Sequence, residues 1–229
     1  MSIQPLYVTI KATDKRRKNM VIYYEDNDII VCEKPYGFSS QESSGENMVS
    51  ALKTHTGCDV FCVHRLDIQT TGVMVYAKNI QSAGKLSEQI VNRKFVKRYK
   101  CICHGDCEGS GELVDILYHD KINNKSFVVD TKRKGAKEAR LEFWNVGSCK
   151  AEGKCLTKLE ILLHTGRTHQ IRVQLASRGH TLYGDGKYGA KDNDKIALHS
   201  FKIEFNHPKT NKKMSFESEP KGEIWELFK

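Results

Sequence analysis

The stretch Asp59-Val60-Phe61-Cys62-Val63-His64-Arg65-Leu66-Asp67-Ile68-Gln69-Thr70-Thr71-Gly72-Val73-Met74-Val75-Tyr76-Ala77-Lys78 reads as two β-rich runs joined by a polar connection. Asp67 falls on that connection, two residues after Arg65. A neighbouring guanidinium favours the ionised carboxylate, and an ionised Asp can attack carbon or accept a proton. A His-Arg-Asp grouping is also a common surface ion-pair cluster of little energetic worth. Taken alone, the segment leaves both readings open.

Working outward, Ile29-Ile30-Val31-Cys32 has the continuous apolar character of a buried strand, and Lys34-Pro35-Tyr36-Gly37 ends it with turn residues. Met48, Val49 and Leu52 then repeat at helical spacing with Gly57 as the stop, and Ala83, Leu86 and Ile90 mark a second helix. Phe95 to Cys103 alternates as a strand, with Tyr99, Cys101 and Cys103 facing inward and Arg98, Lys100 and Ile102 on the other face. Gly105 to Gly111 reads as a loop, and Ser126 to Asp130 and Ala139 to Val146 as further strands. Between these two strands, Lys132-Arg133-Lys134 is a basic hairpin tip and a candidate RNA contact. Residues 1–20 form an extended, basic lead-in, and residues 21–229 contain no linker that would divide them, so one domain is expected.

Leu156 to Leu163 is a strand, and Thr165 to Gly179 a turn followed by a helix, with Thr168 as its N-cap and Gly179 its stop. Ile171 and Leu175 share the buried face of that helix. His169 and Arg172, three apart, share another, suited to a phosphate or a carboxylate; a plain pairing of Arg172 with any nearby acid is the alternative. Gly184-Asp185-Gly186-Lys187-Tyr188-Gly189 puts three glycines into six residues, a backbone that must turn or approach something closely. Ala197 to Phe205 alternates as a closing strand, ended by His207-Pro208.

The chain has 229 residues with 39% hydrophobic content, enough for a sizeable core, and 37 Lys plus Arg against 28 Asp plus Glu, a formal charge of +9. That excess points to a polyanionic partner: RNA, DNA or an anionic membrane. No apolar run approaches the ~20 residues of a membrane span, and Met1 to Met20 lacks the apolar core of a secretory signal. A soluble, intracellular protein is expected, with its eight cysteines as reduced thiols. Cys101-Ile102-Cys103-His104 with Cys107 lacks the paired Cys-x-x-Cys spacing of a zinc site, so no metal is expected.

Together these segments resemble the RluA-type family of RNA pseudouridine synthases. The resemblance rests on Lys34-Pro35 with Gly37, His64 to Gly72, Lys97 with Tyr99, Gly166 to Arg172, Gly184-Asp185 with Tyr188-Gly189, and Leu198-His199, in that order along residues 25–220. Thr71 stands where many relatives have Ser. Lys137-Glu138-Ala139-Arg140 departs from the commoner Lys-Ala-x-Thr pattern.

The resemblance implies an α+β fold, with a mixed, largely antiparallel sheet, flanking helices and a central basic cleft. It implies isomerisation of uridine in ribosomal or transfer RNA, without a cofactor. Asp67 maps onto the catalytic carboxylate, Tyr99 onto a tyrosine that stacks on the uracil, and Arg172 onto a basic residue expected to pair with Asp67. Arg65 is expected to fill the place of the extruded uridine, and His64, Arg167 and His169 to contact nearby phosphates or bases. The lead-in leaves no room for the N-terminal RNA-binding domain of many relatives. A cytoplasmic monomer with no membrane and no obligatory protein partner is expected. A non-catalytic RNA-binding module is the rival class, and a metal-dependent nuclease a weaker one, because it needs convergent carboxylates.

Overall fold

The computed structural model describes residues 6–10, 18–131, 134–151 and 153–228. In chain order its elements are β1 (Leu6–Ile10), β2 (Lys18–Glu25), β3 (Ile29–Lys34), α1 (Met48–Thr56), β4 (Phe61–Cys62), β5 (Thr71–Ala77), α2 (Ile80–Val91) and β6 (Val96–His104). There follow β7 (Ser110–Asp120), β8 (Lys125–Val128), β9 (Lys137–Ala151), β10 (Lys154–Leu163), α3 (Gln170–Ala176), β11 (Leu198–Asn206), β12 (Lys213–Glu217) and α4 (Glu223–Glu226). They fall into two compact units, residues 1–96 with 200–219 and residues 97–199 with 220–229.

In the first unit the strand order is β1-β2-β3-β5-β11, with β12 on β11 and β4 on β5. Val73 to Ala77 are all buried, which is why β5 reads as an unbroken apolar run rather than an alternation. Its core joins Ile29, Val31, Val73 and Val75 to Leu86, Phe95 and Phe205. Both helices start where a side chain satisfies an orphan N–H: Asn47 accepts from Ser50 and Asn79 from Ser82, each at 2.8 Å. Asn79 also donates to Asp28 at 3.0 Å, fastening the start of α2 to the β2–β3 turn.

In the second unit the order is β6-β10-β9-β7-β8. Strand pairs of known register are antiparallel in both units, and one isolated parallel bridge joins Ser39 to Asn47. The α+β class and the mixed, largely antiparallel sheet match expectation.

Several elements differ from the sequence reading. β7 begins inside the expected Gly105 to Gly111 loop and continues to Asp120, a strand not anticipated because Glu112 and Asp115 interrupt its apolar pattern. The lead-in contains β1 and the start of β2. β9 runs on to Ala151, past a register shift opposite Lys158/Leu159 that an alternation count stumbles on. β12 was likewise unread, its side chains alternating between exposed and half-buried with none fully inside. Lys132 and Arg133 of the basic run lie outside the described residues, as do Lys15 to Arg17.

Candidate active site

Asp67 sits half-buried on the connection between β4 and β5, and the backbone on either side of it is clamped. Ser40 Oγ accepts from Leu66 N–H at 2.9 Å and donates to Leu66 C=O at 2.7 Å. Ile68 C=O accepts from Gly37 N–H at 2.9 Å and from Lys34 Nζ at 3.1 Å. The Lys34 side chain is wholly buried, and its ammonium also donates to Phe38 C=O and Pro35 C=O, a buried cation distributed over carbonyl dipoles. Thr70 N–H closes the turn onto Asp67 C=O at 3.0 Å. This explains the Lys34-Pro35-x-Gly37 segment physically: it grips the residue after Asp67. Ser40, on the other side, was missed, because nothing in Ser39-Ser40 marks one serine for such a role.

Gly72 is required where the connection enters β5. Its φ is +119°, and a Cβ there would lie 2.2 Å from Ser200 C=O. His64 is buried, its Nε2 accepting from Val75 N–H at 3.2 Å and its ring 5.2 Å from that of Phe95. It braces the connection against β5. Arg65, by contrast, is exposed, with Nη1 donating to Gln41 at 3.2 Å.

The second unit gathers another group. Arg172 is 2% exposed and forms a two-point ion pair with Asp185, Nε to Oδ2 at 2.7 Å and Nη2 to Oδ1 at 2.8 Å. Its guanidinium lies 5.2 Å from the centre of the Tyr188 ring. The Tyr188 hydroxyl accepts from Ser126 N–H, donates to Ser126 C=O and meets His169 Nδ1 at 3.1 Å. Burial pushes this phenol up, only partly offset by the Ser126 N–H and Arg172, so it stays protonated and can donate.

Asp185 therefore supplies the nearby acid for Arg172, a partner thirteen residues away that no local pattern announces. The glycines around it prepare the contact: Gly184 has φ +75°, and a Cβ there would lie 2.3 Å from Lys195 C=O. Asp192, which accepts from Gly184 N–H at 3.2 Å, secures the same turn. Burial raises the Asp192 carboxyl, but hydrogen bonds from His104, Gly184 and Lys154 outweigh it and hold the group below its ordinary value.

The approach to α3 differs from expectation. Its N-cap is His169 rather than Thr168, in the left-handed region at φ 55°, ψ 23° and without a side-chain cap bond. Gln170 does the organising instead: its Oε1 accepts from Arg167 N–H and Thr165 Oγ1, and its Nε2 donates to Arg140 C=O. Arg140, in the segment that departs from the family pattern, thus serves the loop through its backbone, while its side chain pairs with Glu112. Arg167 is half-buried and Nε donates to Glu138 C=O at 2.8 Å; His169 is 7% exposed.

Tyr99 is buried on β6, on the inward face as expected, opposite Ile161 of β10. Two residues earlier, burial lowers the pKa of Lys97, whose Nζ lies 3.6 Å from where a Gly166 Cβ would be. A lysine with a depressed folded-state pKa carries a cost while both states are protonated, and that cost disappears as pH rises from the folded pKa to the unfolded value near ~10.4. Lys97→Met is therefore expected to raise the melting temperature at pH 7, and to flatten the alkaline rise in stability, in a thermal melt series. An unchanged or lower melting temperature at pH 7 would show that the ammonium gains more from its surroundings than burial removes.

Residues 28–177 match the family model described as RNA pseudouridylate synthase. An uncharacterised RNA pseudouridine synthase of Aquifex aeolicus (strain VF5) is 37% identical over 224 residues, covering 86% of this chain and 68% of that protein. The ribosomal large subunit pseudouridine synthase C of Buchnera aphidicola subsp. Schizaphis graminum (strain Sg) is 32% identical over 219 residues, covering 88% and 68%. Among solved structures, human RNA Pseudouridylate Synthase Domain Containing 1 superposes with a TM-score of 0.76 at 20% identity, covering 88% of this chain and 84% of that one. At that identity the likeness concerns the fold.

Proposed function

Since this chain belongs to the RNA pseudouridine synthases, isomerases that convert uridine in RNA to pseudouridine, we propose that Asp67 is its catalytic nucleophile and that Arg172 orients and balances that carboxylate. The observation that carries the reading is the double clamp on Leu66 and Ile68, which fixes the backbone on either side of a half-buried carboxylate. Rigid backbone under a reactive group is what positioning requires.

In the reaction the bond from ribose to uracil nitrogen breaks, the base reorients, and carbon 5 joins the sugar while its proton leaves. Asp67 acts as an anion, by attack on the sugar carbon or through a sugar-proton step. Arg172 is suited to support it, because Asp185 and Tyr188 fix the guanidinium by one edge and one face. Tyr99 stacks on the uracil and serves as a later base at carbon 5. The two-point pairing of Asp185 with Arg172 also counts against the nuclease reading, since it occupies the second carboxylate that a metal would need.

Extrusion of a stacked uridine costs a few kcal/mol, and the exposed Arg65 offsets this by stacking in the vacated place. Arg167 is assigned to contacts with nearby phosphates or bases; His64 and His169, expected to do the same, are buried against Val75 N–H and the Tyr188 hydroxyl, which favours a bracing role for them instead. Arg65→Ala is expected to leave first binding within about twofold but to reduce the fluorescence rise of a base analogue at the target position; an unchanged rise would remove Arg65 from the flipping step. Ribosomal RNA is the favoured substrate over transfer RNA, on the name of the Buchnera relative. A cytoplasmic monomer is proposed. No helix among the described residues is long and apolar enough to cross a membrane.

A further inference from the structure

At the far side of the Asp67-bearing unit, the later half of α2 and the turn after β11 enclose a concavity of about 300 Å³. Three lysines converge on it, Lys85 and Lys94 from α2 and the residues just after it and Lys209 from the turn, against one carboxylate, Glu88. Lys85 and Lys94 are exposed and form no ion pair with another described residue. Lys209, 72% exposed in its side chain, is 3.9 Å from Asp28.

The floor beneath these lysines is rigid. The Gln89 amide exchanges two hydrogen bonds with the Asn206 backbone, at 2.7 and 2.8 Å. His207 accepts from Lys209 N–H and Thr210 N–H through Nδ1, while its Nε2 meets Asp26 at 2.8 Å. Burial raises the Asp26 carboxyl, but the N–H groups of Ile29 and Asp28, the Tyr24 hydroxyl and His207 hold it low, so the turn is fixed to an anion. Helix polarity accounts for one cation near the end of α2, worth about 0.3–1 kcal/mol. It does not account for a lysine on a separate element meeting two others over a preorganised hollow. Glu88 and Asp28 offset part of this charge, but three lysines outnumber the acids around the hollow, and the surplus suits an anion from outside.

We propose that this concavity holds the phosphodiester backbone of substrate RNA, as a contact distinct from the one that receives the target uridine. β5 leads from the Asp67 connection to Lys78, whose N–H donates to Asp28 C=O at 2.9 Å, and Asp28 neighbours Lys209, so ~20 Å of strand lies between the two places. At ~3.4 Å per stacked nucleotide that is about six nucleotides of RNA. The inference rests on the RNA chemistry of the family and not on the assignment of Asp67.

The test is anisotropy of a labelled 20-nucleotide oligouridylate from 50 to 200 mM KCl, with wild type, a Lys85→Ala/Lys94→Ala/Lys209→Ala variant, and a Lys121→Ala/Lys191→Ala/Lys221→Ala variant. The last set removes the same charge from exposed positions elsewhere. Three lost phosphate contacts on a single strand reduce the slope of log K against log salt by about 2, and the pocket variant is expected to lose affinity about tenfold at 100 mM. The control is expected to stay within twofold, and both variants to keep the wild-type melting temperature and the kcat on saturating RNA. A wild-type slope in the pocket variant, or an equal loss in the control, would overturn the proposal. Loss of binding with an active Asp67→Asn enzyme would leave this contact standing and remove the catalytic assignment instead.

Discussion

Asp67→Asn is expected to abolish pseudouridine formation, by about 10⁴-fold or more, while RNA affinity stays within about twofold. The substitution preserves the shape of the side chain and removes its charge, and an amide can neither attack the sugar carbon nor take its proton. The bonds that shape this connection run to the backbone of Leu66 and Ile68, from Ser40, Gly37 and Lys34, and are present whether residue 67 is an acid or an amide. Nucleoside mass spectrometry after incubation with RNA from cells lacking the gene reads the product, and anisotropy the binding. A variant that turns over at the wild-type rate would end the nucleophile assignment; one that no longer binds RNA would make Asp67 a recognition residue.

Asp185→Ala is expected to have the next largest effect, on two measurable quantities at once. It leaves the Arg172 guanidinium, 2% exposed, without its two-point partner. Removing one member of a buried ion pair costs about 3–5 kcal/mol, which in a chain of this size lowers the melting temperature by roughly 6–20 °C. Activity falls as well, by about a hundredfold, because misplacement of a positioning group by ~1 Å costs that much. Two further variants separate the effects. Replacing both partners, as Arg172→Met with Asp185→Leu, is expected to recover most of the stability and none of the activity. Asp185→Glu, which keeps the charge, is expected to regain part of kcat with KM unchanged. If the stability-restored double variant were fully active, the pair would be purely structural.

The legibility of this protein varied with the range of the interactions involved. Strands buried on both faces, such as Ile29–Lys34, and helices with a capping Asn and a clear stripe announce themselves locally, because burial and capping act within a few residues. β7 did not, since Glu112 and Asp115 break its alternation. The helix start at His169 was misplaced by one residue because Thr168 has the better capping side chain; the turn is instead set by Gln170 reaching back to Thr165 and Arg140. Among the candidate residues, Asp67, Arg65 and Arg172 are each marked by their motifs. Their supporting contacts are not: Ser40 acts 26 residues from Leu66, and Asp185 thirteen from Arg172. Glycine was the one local trace of the second arrangement, because Gly184 must be free of a Cβ for the turn carrying Asp185 to pass Lys195.

Pseudouridine mapping of total RNA from cells carrying the wild-type gene, no gene, or the Asp67→Asn gene tests the central claim most directly. One defined set of uridines is expected to carry the modification in the first strain and to lose it equally in the other two. Retention of those pseudouridines in the Asp67→Asn strain, alongside their loss in the deletion, would contradict it.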